Sequence, residues 1–133
     1  MTAVVVDSNV LLDLMTENAR WLSWSAAAVE RAADGFRLVI NPDNLRRGLY
    51  SRIEDLEAAL PKAILDREAI PYEAAFLAGK CFLAYRQRGG TKQSPLPDFF
   101  IGAHAAVAGY RLLTRDAARY RSYFPRLSLI APN

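Results

Sequence analysis

Three aspartates stand where the sequence could hold a metal ion. Asp7 directly follows the apolar run "AVVV", Asp116 follows "LLTR", and Asp98 lies in "SPLPDFFIGAHA", where two prolines precede the start of a helix. Each has a structural alternative, because aspartate is favoured at the N-cap and in the first turn of a helix, where it meets free amide groups. Taken singly, each acid is better explained as a cap.

If the three acids converge at one place in the fold, a metal site explains them better than three separate helix caps. The strands of a parallel sheet collect their carboxyl ends at one edge, where such folds bind their ligands. Carboxylates held close together repel one another unless a cation neutralises them. Mg²⁺ and Mn²⁺ prefer oxygen ligands, and such an ion can activate water and stabilise the leaving oxygen in phosphodiester hydrolysis. The acids together predict a divalent-cation site with hydrolytic chemistry.

The segments between the acids predict strands that alternate with helices. Residues 3–6 and "RLVIN" are short apolar runs typical of buried strands, and "RLLT" and "LSLIAP" are two further candidates. Helices are predicted over "SNVLLDLMT", residues 21–35, "SRIEDLEAALPKA", residues 71–90 and the segment after "SPLP". This order predicts an α/β fold, with a short parallel sheet of about four to five strands flanked by helices on both faces.

Composition favours one domain over residues 1–133. The chain is 52% apolar and 23% charged, and no run approaches the roughly 20 apolar residues that span a bilayer. The first residues lack the basic segment of a signal peptide, and the one cysteine, Cys81, permits no internal disulfide, so the sequence predicts a cytoplasmic protein. The net charge of +3 permits a polyanionic partner without requiring one.

Several other residues have both a functional and a structural interpretation. The arginine clusters "LRRGLYSR", "YRQRGGTK" and "TRDAARYRSYFPR" carry tyrosines that could stack on bases, or they are solvated surface. His104 fits a general base, but a histidine that packs its helix against the sheet explains it better. Met15, Trp21 and Trp24 could line a groove for an amphipathic peptide, or they belong to the core.

The motifs "VVVDSNVLLDL", "SPLPDFFIGAHA" and "LLTRDAARY" resemble those of PIN-domain ribonucleases, and the similarity is greatest to the VapC-type toxins of bacterial toxin–antitoxin pairs. It covers nearly the whole chain. The resemblance implies a magnesium-dependent endoribonuclease, a homodimer, and a VapB-like antitoxin whose C-terminal peptide wraps the toxin and blocks its acids. Carried over by position, Asp7 and Asp98 would be the main metal ligands, Asp116 a further catalytic acid, and Asn9 and Thr114 polar residues that support them.

One acid of the family pattern is absent. PIN-domain toxins commonly carry a glutamate after the second strand, in a phrase similar to "NPIIYAEVS", whereas this chain has "NPDNLRRGLY". Counted from Pro42, the glutamate position is Arg47, whose guanidinium cannot ligate a metal ion. A frayed or rearranged loop is expected here, because Gly48 costs about 1 kcal/mol in a helix. Glu54 and Glu57 lie further along and are expected to be solvated rather than to replace the lost acid.

A local frameshift is one hypothesis for this change. Residues 43–50 can be encoded as GAT AAT CTA CGC CGA GGT CTC TAC, and removal of the first base gives codons for IIYAEVS. Natural divergence, from a protein that never had the glutamate, is the alternative. Coding DNA whose shifted frame does not spell those residues would exclude the frameshift.

Two functions of different classes follow from these residues. The first is a VapC-like endoribonuclease that cleaves RNA through a metal at Asp7, Asp98 and Asp116, with activity weakened or lost because of Arg47. The second is a non-catalytic PIN-fold protein that dimerises and binds an antitoxin peptide. An α/β small-molecule binder is a third, and the lack of a glycine-rich phosphate loop counts against it.

Overall fold

Five parallel strands form one sheet in the computed structural model, which describes residues 3–45, 52–59, 64–91 and 96–133. Their order across the sheet is β3, β2, β1, β4, β5. The strands are β1 (Ala3–Val6), β2 (Arg37–Ile40), β3 (Leu65–Arg67), β4 (Arg111–Leu113) and β5 (Leu129–Ile130). Within these ranges the helices are α1 (Ser8–Met15), α2 (Leu22–Gly35), α3 (Ile53–Ala59), α4 (Tyr72–Gln87), α5 (Pro97–Ala108) and α6 (Ala117–Tyr123), with a 3₁₀ turn at Pro42–Leu45. The predicted α/β fold class is confirmed.

Both faces of the sheet are covered, and the alternation of side chains along β1 shows how. Ala3 and Val5 pack with buried residues of α4, α5 and α6, whereas Val4 and Val6 pack with buried residues of α1 and α2. All four side chains of β1 are inaccessible to solvent. A strand buried on both faces must be apolar throughout, which explains the unbroken run "AVVV" that ends at Asp7.

The contact between α5 and α6 depends on a glycine. A methyl group added to Gly102 of α5 would lie 2.5 Å from a ring carbon of Phe124, the residue that follows α6. Real Cβ atoms essentially never approach so closely, so the Phe124 ring packs against α5 at a distance that only glycine permits. This contact fixes α6 against the helix that begins beside Asp98.

The order of the strands places a crevice between β1 and β4. The chain runs from β1 to β2 and β3 on one side, and then returns to β4 on the other side of β1. Parallel α/β sheets bind their ligands at the carboxyl ends of strands where the direction of winding reverses in this way. Asp7 follows β1 and Thr114 follows β4, so both lie at this position.

In the part of the chain that the structure describes, no helix is long and apolar enough to span a membrane.

Candidate active site

Asp7 is held at the end of β1 by two hydrogen bonds. It is the N-cap of α1, and its Oδ1 accepts the backbone N–H of Ser8 at 2.7 Å. Its Oδ2 accepts the Thr114 hydroxyl, also at 2.7 Å. The residue is only 2% exposed. Asp7 is therefore a helix cap, as the simpler interpretation expected. It is also a buried carboxylate at the strand-order reversal, the point between β1 and β4 where the direction of winding changes.

Burial dominates the electrostatics of Asp7. Its pKa is raised from 3.8 to about 6, mainly through loss of hydration, and the nearby charge of Asp98 contributes in the same direction. Hydrogen bonds from Thr114, Tyr120 and Ser8 act in the opposite direction. A carboxylate with these surroundings is one that a bound cation would stabilise.

Thr114 connects Asp7 to two other residues predicted for the site. While its hydroxyl donates to Asp7, the same oxygen accepts the backbone N–H of Asp116 at 3.0 Å. It also accepts the Asn9 amide at 3.4 Å, and the Asn9 side-chain oxygen accepts the backbone N–H of Arg115 at 3.4 Å. Asn9 and Thr114, which the family resemblance implies as supporting residues, thus lie beside Asp7 and the backbone of Asp116.

Asp98 lies in the first turn of α5, and its side chain is 13% exposed. The Tyr120 hydroxyl donates its one hydrogen to Oδ1 of Asp98 at 3.4 Å and also lies within hydrogen-bonding reach of Asp7. Tyr120 itself is buried, so loss of hydration raises the pKa of its hydroxyl well above 10, and the charges of Asp7 and Asp98 add to that effect. The tyrosine remains a neutral donor between two carboxylates.

Asp116 is joined to Asp98 through an arginine. Arg119 of α6 donates a hydrogen bond through one nitrogen to Asp98 Oδ2, and a second nitrogen forms an ion pair with Asp116 Oδ2 at 3.1 Å. Burial lowers the pKa of Arg119, but its pairing with Asp98 and Asp116 outweighs that, and the guanidinium stays charged. Asp116 occupies the N-cap position of α6 without using its side chain as a cap.

The donor atoms of this site suit Mg²⁺ in kind. They are carboxylate oxygens, and a positive group, the Arg119 guanidinium, already lies between two of them. Within residues 3–45, 52–59, 64–91 and 96–133, no three histidine, cysteine or acidic side chains are arranged as a set that could hold a metal ion. In this arrangement of the side chains, the single charge of Arg119 offsets part of the negative charge of Asp98 and Asp116.

Sequence reasoning missed Arg119 and Tyr120. They stand three and four residues after Asp116, which puts them on the same face of any helix that begins there, and this spacing was the available signal. The cluster "TRDAARYRSYFPR" was instead interpreted as basic surface with tyrosines free to stack on bases. For Tyr120 that interpretation is wrong, because the side chain is 1% exposed and lies against the acids.

Arg46 and Arg47, together with the loop expected around Gly48, lie outside the described residues. The 3₁₀ turn that leads into this segment is anchored to the site, because the Asn44 amide donates to the Val6 carbonyl at 2.8 Å and to the Ser8 hydroxyl at 3.3 Å. The glutamates considered as substitutes lie elsewhere: α3 is exposed at Glu54 and Glu57, which pair with Arg52 and Arg67.

His104 is fully buried on α5, away from solvent. Its Nδ1 lies 3.0 Å from the Asn41 amide nitrogen, and its Nε2 lies 3.2 Å from Glu68. The Asn41 side-chain oxygen accepts the backbone N–H of Asp43, which fixes the amide nitrogen toward the histidine. His104 Nδ1 must therefore accept a hydrogen bond from the Asn41 amide, and Nε2 carries the hydrogen that is donated to Glu68. Both nitrogens are used in joining α5 to the ends of β2 and β3.

An apolar groove lies on the other face of the sheet. It is lined by Leu14, Met15, Val29, Ile64 and Leu65 among others, with a volume of about 200 Å³. Met15 belongs to it, as the sequence suggested. Trp21 and Trp24 are not among its lining residues and pack edge to face, with ring centroids 6.3 Å apart.

Comparison by sequence finds no match, either to a family profile or to a curated protein. Comparison by structure matches nearly the whole chain. VapBC2 from Rickettsia felis, solved with a DNA fragment from the promoter, superimposes with a TM-score of 0.73 at 15% identity, covering 99% of this chain and 100% of that one. VapBC-1 from nontypeable Haemophilus influenzae gives 0.71 at 17% identity over 98% of each chain. A toxin–antitoxin complex from Klebsiella pneumoniae gives 0.62 at 18% over 98% of each.

These matches define the class of fold as a PIN-like α/β domain. At such low identities it is the fold that they establish. Within that class the chain is similar in structure to VapBC toxin–antitoxin proteins, so the resemblance seen in the motifs around Asp7, Asp98 and Asp116 is confirmed at the level of the fold.

Proposed function

We propose that this chain descends from VapC-like, magnesium-dependent endoribonucleases of the cytoplasm and that its own activity is weakened or lost. One observation carries the proposal: Asp7, buried at the strand-order reversal, lies close enough to Asp98 for the charge of Asp98 to raise the pKa of Asp7. Two carboxylates are kept together there at a cost in stability, which favours a functional rather than a structural reason for them.

The residues of the site would divide the work as follows. Asp7 and Asp98 would hold the metal ion, Thr114 and Ser8 fix the orientation of Asp7, and Tyr120 orients Asp98. Bound Mg²⁺ would supply a Lewis acid that stabilises charge on a phosphodiester and lowers the pKa of a water molecule. The apolar strands beneath the acids exclude water from one side, which strengthens every charge interaction at the site.

A non-catalytic protein that keeps the fold is the second candidate. It is favoured by Arg47 at the glutamate position and by Arg119, which pairs with Asp98 and Asp116. In this case the chain would retain partner binding alone.

Cleavage of RNA by purified chains separates the two candidates. We would compare the natural chain, Arg47→Glu, a chain with residues 43–49 replaced by IIYAEVS, and Asp7→Asn in that last background, each with and without Mg²⁺. Arg47→Glu tests the acid alone, because it keeps Asn44 and its hydrogen bond to Val6. Magnesium-dependent cleavage by a restored chain only would identify the missing acid as the disabling change. Cleavage by the natural chain at the same rate would show that the glutamate is dispensable, and no cleavage by any chain would favour the binding protein.

An antitoxin is the partner we propose for the groove formed by Leu14, Met15, Val29, Ile64 and Leu65. Structural neighbours of this chain were solved as VapBC and toxin–antitoxin complexes. Ile64 is 57% exposed, and the groove is almost wholly apolar, which suits the apolar face of an amphipathic helix.

A second copy of the chain is the partner we propose for α4. Tyr72, Phe76, Gly79 and Leu83 follow one another at spacings of four, three and four residues, so they form one stripe along the helix. Tyr72 is 95%, Phe76 70% and Leu83 52% exposed. In a two-fold antiparallel pair of α4 helices, Tyr72 would meet Leu83 of the second copy, and Phe76 would meet Gly79, where the surface is open. The stripe is therefore complementary to itself.

A further inference from the structure

Arg119 binds two acids that come from different parts of the chain. Asp98 belongs to α5 and Asp116 precedes α6, and separate nitrogens of one guanidinium reach the two carboxylates. Arg115, four residues earlier, is directed elsewhere, because it donates twice to Asp13, at 2.8 and 3.1 Å. Among the described residues, Arg119 is the arginine that forms ion pairs with these two acids.

The two sides of this ion pair differ in their exposure. The side chain of Asp98 is 13% exposed, whereas that of Arg119 is 52% exposed. A carboxylate so far removed from water is strongly stabilised by a positive partner. The arginine, with its long aliphatic stem, can turn into solvent at little cost. Arg119 can therefore move away from Asp98, provided that another cation takes its place beside the carboxylate.

We infer that Arg119 is an internal counter-ion of the metal site: its single positive charge offsets part of the negative charge of Asp98 and Asp116 in the metal-free chain, and a divalent cation must displace it from Asp98 in order to bind. This inference rests on the proposed function. It explains why the acids lie close together and yet, within the described residues, do not form a set of three ligands. It also assigns Arg119 a role in metal affinity, because Arg119 positions the acids and competes with the metal ion for them.

Titration of the metal-free full-length chain with Mn²⁺, followed by electron paramagnetic resonance of the free ion, tests the inference without measuring catalysis. Arg119→Gln removes the competitor and a repelling positive charge, so we expect Mn²⁺ to bind about tenfold more tightly. Arg121→Gln is the matched control, since it removes the same charge from an exposed position on the same helix. It should change the affinity by less than about twofold, because exposed charges are screened. Asp7→Asn should weaken binding and so locate the ion.

Circular dichroism and thermal unfolding would establish that each variant is folded. If Arg119→Gln does not fold, Arg119→Lys takes its place, because one ammonium group keeps the charge but cannot bridge two carboxylates as the guanidinium does. It should bind Mn²⁺ about threefold more tightly than the natural chain. Unchanged or weaker binding by the Arg119 variant would overturn the inference and leave the proposed function standing, and so would an equal gain in Arg121→Gln. Absence of Mn²⁺ binding by every chain would overturn both.

Discussion

Asp7 shows how one residue can satisfy a structural rule and still carry an electrostatic cost. As a cap it supplies an acceptor to the start of α1, which normally stabilises a helix by about 1 kcal/mol. As a buried carboxylate it has a pKa of about 6 rather than 3.8. That difference corresponds to roughly 3 kcal/mol of destabilisation at neutral pH, so the cap alone does not account for an ionised group here.

The first prediction at this scale is that Asp7→Asn stabilises the metal-free chain. The pKa of Asp7 rises on folding, so the folded chain binds more protons than the unfolded chain between pH 3.8 and about 6. The free energy of unfolding therefore falls as the pH rises through that window. Asparagine removes this loss but weakens the bond from Thr114, so we expect a net gain of about 2 kcal/mol at pH 7.5, measured by urea denaturation.

The pH dependence distinguishes this effect from a general change in packing. At pH 3.5 Asp7 is largely protonated in both states, so the two chains should differ little there. Asp13→Asn is a useful control, because Asp13 is equally buried but paired with Arg115 and Ser25, and its loss should destabilise the chain at pH 7.5. An Asp7→Asn chain less stable than the natural one at pH 7.5 would contradict the prediction.

At the level of single residues, the sequence predicted the acids better than their partners. Asp7 and Asp116 were identifiable because each follows a short apolar run, and Asp98 because prolines mark the start of its helix. Arg119 and Tyr120 were not identified, because their roles depend on α6 closing against α5. A contact between helices that are distant in sequence leaves no local pattern to read.

Two elements escaped prediction for physical reasons. Strand β3, with the sequence "LDR", lies at the edge of the sheet and buries only Leu65, so it lacks the apolar run that marked β1 and β2. Helix α6 is seven residues long and begins in an arginine-rich segment, where charge obscured the periodicity. Short elements of this kind are formed mainly by tertiary contacts rather than by local propensity.

The ends of three elements are joined by a buried polar network around His104. Its ring lies between Asn41, which follows β2, and Glu68, which follows β3. Burial raises the pKa of Glu68, but hydrogen bonds from Arg37, Tyr110 and His104 outweigh it and hold the pKa below its usual range. The network therefore places an ionised carboxylate beside the histidine donor and ties α5 to the sheet.

Removal of this histidine should be costly for folding. His104→Ala would leave a cavity and also an unpaired amide on the buried Asn41, so we expect a loss of about 3 kcal/mol in the free energy of unfolding. Val107→Ala, on an exposed position of the same helix, should change it by less than about 0.5 kcal/mol. Both values can be measured by urea denaturation at neutral pH. A small effect of His104→Ala would mean that water or a rearranged side chain replaces the ring.

For the molecule as a whole, the excess of basic residues is less available to a partner than the sequence suggested. In the segment "TRDAARYRSYFPR", Arg115 and Arg119 are bound to acids of the same chain. The surface feature that stands out instead is apolar, because the stripe Tyr72, Phe76 and Leu83 on α4 is exposed in the single chain. Exposed apolar stripes are typical of surfaces that associate.

We predict that Phe76→Lys weakens self-association at least tenfold, because it places a like charge beside Lys80 and opposite the open surface at Gly79. The dissociation constant is measurable by sedimentation velocity over a concentration series. Val107→Lys adds the same charge at another exposed apolar position and should have little effect. A natural chain that remains monomeric at high micromolar concentration would rule out the α4 pairing.

The site depends on the small size of Gly102, where α5 packs against the Phe124 ring, as well as on its charged groups. A single methyl group at Gly102 would press on Phe124 and displace α6, the helix that carries Arg119 and Tyr120, from the helix that carries Asp98. Such a chain would keep every acid that a motif search looks for, and yet Arg119 and Tyr120 would no longer lie against Asp98 as they do here. The change at Arg47 removes an acid that a motif search would expect to find. A substitution at Gly102 would alter the site without removing any acid.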